Sequence, residues 1–90
     1  MTKSLEQLRK EIDAADEALI KILAKRFAVV REIGKLKQEQ QKAPLDEKRW
    51  QDVVQKIIEK ARKHNIPEEQ LKKIYDEIHK ASIQLQKSHE

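Results

Sequence analysis

LEQLRKEIDAADEALIKILAKRFAVVREIGKLK, residues 5–37, decides the fold of this chain. Apolar residues recur in it at steps of three and four: Leu5, Leu8, Ile12, Ala15, Leu19, Ile22, Val29, Ile33 and Leu36. That period belongs to an α-helix with one apolar stripe, and a stripe this regular is expected to be buried. One position breaks it. The series requires an apolar residue at 26, and the chain has Arg26 there. A guanidinium cannot lose its proton to escape burial, so it needs an anionic partner or a route to water. Snorkelling would satisfy it, as would an acidic side chain on another helix. The sharper reading is that the interior of the bundle binds an anion.

Outward from this stretch, the chain reads as three helices. Ser4 and Gln7 fit a capping box at the start of the first, which runs to about residues 37–40 and tolerates Gly34 at some cost in helix stability. Residues 38–44 are polar, end in Pro44 and read as a loop. Asp46 is the expected N-cap of a second helix with apolar positions Trp50, Val53, Val54, Ile57, Ile58 and Ala61. The stretch His64-Asn65-Ile66-Pro67 closes it, with Pro67 at the first position of a third helix carrying Leu71, Ile74, Ile78, Ala81 and Leu85.

Composition agrees with an all-α chain. Ninety residues make one small domain, 1–90; charged residues are 40% and aromatics 3%, with one glycine and two prolines. The absence of cysteine excludes disulfides and thiolate catalysis. His64, His79 and His89 lack metal-site spacing and read as surface residues. No signal peptide or bilayer-spanning run is present, so the chain reads as cytoplasmic, with no membrane partner. The net charge of +4 invites nucleic-acid binding, but the basic residues are interspersed with 16 acidic ones and lack a stacking set of aromatics. Nucleic acid is not an expected partner.

Lengths set the architecture. The first helix should be about 50 Å long and the others about 25–30 Å. Two short helices cannot cover the whole stripe, which asks for another long helix beside it. The economical arrangement is an intertwined homodimer with two copies of the first helix antiparallel, since small chains often associate to bury enough core.

The polar residues then fall into a pattern. Arg26 and Lys37 lie 11 residues apart on one face, about 16 Å along the axis, a separation that could bracket a small dianion. Arg9 is about 25 Å from Arg26 on the same helix, but the antiparallel partner's Arg9 could return to Arg26. Ser82 and Gln86, an i, i+4 pair, present a hydroxyl and a carboxamide on one face, and Arg49 would face the same interior. Taken singly, Lys37 reads as an exposed lysine, Ser82 as a helix-surface residue and Gln86 as part of a frayed end.

Together these residues resemble a known family. Leu8-Arg9-Lys10-Glu11-Ile12-Asp13-Ala14-Ala15-Asp16, then Leu23 to Arg26, Ile33-Gly34 with Lys37, Pro44 with Asp46 and Arg49, and Ser82 with Gln86 are similar, in order and spacing, to the AroQ-class chorismate mutases. The resemblance covers nearly the whole chain. It implies an intertwined all-helical dimer and the Claisen rearrangement of chorismate to prephenate in aromatic amino-acid biosynthesis, a pericyclic step with no cofactor and no metal. By position, it implies that Arg26 and the partner's Arg9 hold the two carboxylates. Lys37 and Gln86 would donate to the ether oxygen whose C–O bond breaks, Lys37 also to a carboxylate. Ser82 would contact a carboxylate, and Asp46 and Arg49 would line the pocket.

One position departs from the family. Where it usually has a glutamate that accepts from chorismate's ring hydroxyl, this chain has Trp50, and an indole donates but does not accept. Gln51 or Asp46 could take the hydroxyl, or Trp50 could point into the core, or the substrate could differ. Related isochorismate-pyruvate lyases share the fold and the cations without that glutamate. The alternatives to a mutase are therefore a lyase of this kind, or a non-catalytic helical dimer acting as an interaction module.

Overall fold

The computed structural model describes residues 2–87. Among them are three helices and no strand: α1 (Leu5–Glu39), α2 (Glu47–Lys63) and α3 (Glu68–Lys87). Their ends follow from local chemistry. The Ser4 hydroxyl accepts from Gln7 N–H while the Gln7 side chain accepts from Ser4 N–H, so the capping box satisfies two donors that the helix leaves unpaired. Asp46 does the same for α2 by accepting from Arg49 N–H at 3.0 Å. At the other ends, Gln41 and Asn65 take left-handed backbone conformations. Each lets the next residue reach back to a helical carbonyl, Lys42 to Lys37 at 2.7 Å and Ile66 to Ala61 at 2.9 Å. Helix α3 begins one residue later than the sequence suggests, with the Pro67 carbonyl accepting from Leu71. Arg62 pairs with Glu68 across the α2–α3 turn.

Helix α3 is the element against which both others pack. It covers only the C-terminal half of α1, and the chain is drawn out to 59 × 24 × 15 Å. The expected burial of the long apolar stripe is therefore not met within the chain. Every residue from 2 to 22 is exposed, and Leu5, Ile12, Leu19 and Ile22 are each about 60% or more exposed. The buried apolar side chains are Val30, outside the stripe, and Ala61. Periodicity identified which residues are apolar together but not what covers them, and α3 is too short to reach the first half of α1. No helix among the described residues is long and apolar enough to cross a membrane.

Gly34 is more than tolerated. It is buried, and a Cβ built on it would lie 2.6 Å from the Gln86 Cα, a backbone atom that cannot swing aside. Glycine here sets how closely α3 approaches α1. Two effects compete in Gly34→Ala: a helix gain of about 1 kcal/mol and an overpacking cost of about 1–3 kcal/mol. With backbone as the obstacle, the upper part of that cost applies, and we expect a net loss of about 1–2 kcal/mol in urea unfolding. A more stable variant would show that α3 yields without strain.

Candidate active site

Four α1 residues at helical spacing, Arg26, Val30, Ile33 and Lys37, form one wall of a cleft of about 210 Å³. Helix α3 contributes His79, Ser82, Ile83 and Gln86, again spaced to share a face. The start of α2 and the loop before it close the third side with Pro44, Asp46, Arg49, Trp50 and Val53. The Asp46 cap thus fixes where α2 begins and brings Arg49 and Trp50 to the cleft.

Among the described residues, no carboxylate forms an ion pair with the cations lining the cleft. Arg26 is half-buried, and Nη1 donates to the Ser82 hydroxyl at 3.0 Å; no acidic side chain lies within ion-pair distance of it among the described residues. Among the described residues, an acidic partner on another helix, one way to satisfy this guanidinium, is therefore not found. Ser82 is 5% exposed and is held in turn, donating to the Ile78 carbonyl at 2.7 Å. The guanidinium also lies 6.0 Å from the centre of the Tyr75 ring, a favourable place for a cation.

Lys37 is half-buried rather than exposed. Its Nζ donates to the Pro44 carbonyl at 2.7 Å and to Gln86 Oε1 at 2.9 Å, which leaves a third N–H for a ligand. Because Gln86 Oε1 faces Lys37, the NH2 end of the amide is the donor still without a protein acceptor among the described residues. Gln86 is half-buried and held in place, not frayed. Three cations, a hydroxyl and a carboxamide face one cleft in which Asp46 is the only carboxylate among the described residues. Such an arrangement suits a small anion with more than one negative group.

The sequence pattern of the chorismate mutase type II family matches residues 8–87. The chain belongs to the chorismate mutase type II family. No curated protein matches it closely enough to count as a relative. In this chorismate mutase type II chain, six of the seven residues singled out from the sequence line one cleft: Arg26, Lys37, Asp46, Arg49, Ser82 and Gln86. Arg9 does not; it is exposed on the uncovered half of α1.

Two aromatic rings complete the cleft. Trp50 is half-buried and lies flat on His79, with ring centres 3.8 Å apart and planes 9° from parallel. His79 is thus not the surface residue its isolated position suggested. Its spacing to Ser82, Ile83 and Gln86 was the available signal, since residues three, four and seven apart share a helical face. Burial lowers its pKa below the ordinary 6.5, and Arg26 lowers it further, against the opposing pull of Glu47 and Asp76. The folded state therefore binds this proton less readily than the unfolded chain. Its contribution works against stability as pH falls from 6.5 through the folded value, and vanishes above 6.5. Gln51 is exposed and does not line the cleft. His64 is exposed at the end of α2, and His89 lies outside the described residues.

Proposed function

We propose that the chain is a chorismate mutase acting as a homodimer in the cytoplasm, converting chorismate to prephenate. The observation that carries this reading is the pair Lys37–Gln86, an ammonium and a carboxamide fixed 2.9 Å apart on the same cleft as Arg26, which has no ion pair among the described residues. A Claisen rearrangement breaks one C–O bond and forms one C–C bond within a single molecule. It needs no base, nucleophile or cofactor. It needs the enolpyruvyl chain folded over the ring, which cations gripping two carboxylates accomplish. It also needs donors at the ether oxygen, where negative charge grows as the bond breaks. Lys37 and the NH2 end of Gln86 fill that role, Arg26, positioned by the Ser82 hydroxyl, holds one carboxylate, and Asp46 and Arg49 border the ring. Incubation with chorismate and, separately, isochorismate tests the assignment. Prephenate is the expected product. Salicylate and pyruvate from isochorismate would establish the lyase, a reading that Trp50 favours by standing where the family usually has its glutamate. Neither product would leave a binding module.

The exposed stripe supports the second copy. Residues 5–22 extend about 27 Å with Leu5, Leu8, Ile12, Leu19 and Ile22 exposed along one stripe, a run of large apolar side chains of the kind that marks an interaction surface. Antiparallel pairing of two such helices covers both stripes and carries the partner's Arg9 to the second carboxylate. Sedimentation equilibrium is expected to give twice the 10.6 kDa of one chain. A monomer at every concentration would remove Arg9 from the site.

A further inference from the structure

The mutase reading supplies a substrate with one proton that the donors of the cleft do not serve. Chorismate carries two carboxylates and an ether oxygen, which only accept, and a ring hydroxyl, whose O–H needs an acceptor. The acceptors lining the cleft are mostly engaged. Ser82 Oγ accepts from Arg26, Gln86 Oε1 from Lys37, and one oxygen of the exposed Asp46 from Arg49 N–H. Trp50 has no lone pair to offer. His79 differs: it is half-buried, lines the cleft, and has no hydrogen-bond partner among the described residues. A neutral imidazole always keeps one nitrogen lone pair as an acceptor.

We propose that His79, held flat against Trp50, accepts the hydrogen bond of the substrate's ring hydroxyl and so orients the ring in the cleft. The proposal rests on the mutase reading and adds a residue to it. The stack restricts the ring's tilt, so less side-chain entropy is lost when the lone pair engages a ligand. Each packed element brings charge to the imidazole: Arg26 from α1, Glu47 from α2 and Asp76 from α3. Burial and Arg26 favour the neutral, accepting form, and the two carboxylates oppose them. Protonation turns both ring nitrogens into donors and removes the acceptor, so activity should fall on the acid side.

The test is kcat/KM for chorismate across about pH 5–8 in the wild type, His79→Phe and His79→Gln. Phenylalanine keeps a ring on Trp50 and loses the acceptor; glutamine keeps an acceptor that does not titrate. The wild type is expected to lose activity in acid, with a midpoint below 6.5. His79→Phe should lower kcat/KM roughly five- to tenfold on the neutral side and abolish that acid limb. His79→Gln should recover most of the loss, also without the limb. With an analogue whose ring hydroxyl is replaced by hydrogen, the wild type and His79→Phe should become equal. A phenylalanine variant with wild-type kcat/KM, or one that keeps the limb, overturns the role while leaving the mutase intact. An equal penalty with both substrates also overturns it, because the effect would then be structural. A wild type that does not rearrange chorismate overturns the mutase reading, and this role with it.

Discussion

Lys37→Ala is expected to lower kcat for chorismate by about a thousandfold or more while the helical content stays unchanged. Loss of one donor to a developing oxyanion costs about a hundred- to a thousandfold, and a charged donor is worth more than a neutral one. The loss should fall mainly on kcat, because the ether oxygen acquires its charge only as the bond breaks. Lys37 also holds the Pro44 carbonyl and Gln86 Oε1, so alanine releases both. Lys37→Arg separates the two roles. Arginine retains the charge, but its planar fork does not reproduce a point donor between a carbonyl and an amide, and rescue should be slight. Steady-state kinetics with circular dichroism checks both variants. A Lys37→Ala enzyme within tenfold of the wild type would exclude Lys37 from the chemistry.

Arg26→Ala is expected to lower turnover by about thirty- to five-thousandfold, with the fold retained. Both kcat and KM should change, since a carboxylate grip acts in binding and in selecting the reactive conformer. Stability provides the contrast. Arg26 has no ion pair to lose among the described residues, and Ser82 keeps its bond to the Ile78 carbonyl. Alanine also removes a half-buried charge, so urea unfolding should be unchanged within about 1 kcal/mol. An unfolded variant would instead make Arg26 a structural residue.

The sequence made the helices legible because their ends are set by local chemistry. Ser4 with Gln7 and Asp46 with Arg49 act within one turn, and a local pattern reveals them. Arg26 was legible for a related reason, as a charge where the period required an apolar group. What the period did not contain was the identity of the covering surface. It marked the stripe through Leu5, Ile12 and Leu19 for burial against a second long helix, while within the chain the buried α1 residues are Val30 and Gly34. Lys37 looked solvated because its partners, Pro44 and Gln86, are brought to it by a loop and by a helix 49 residues away. The role of Gly34 depends on one interhelical approach, which no local rule contains. His79 did carry a spacing signal, but its importance depends on Trp50, a residue of another helix.

On the homodimer reading, the uncovered half of α1 makes protomer concentration a folding variable. With Val30 and Ala61 as its buried apolar side chains, a single chain has little core of its own. If a second copy supplies the rest, dilution favours a form that lacks Arg9 at its cleft and much of its stability together. The melting temperature should then climb with protein concentration, as mass action requires of a folded state made of two chains. Specific activity should fall on dilution over the same range, and the two curves would measure one equilibrium.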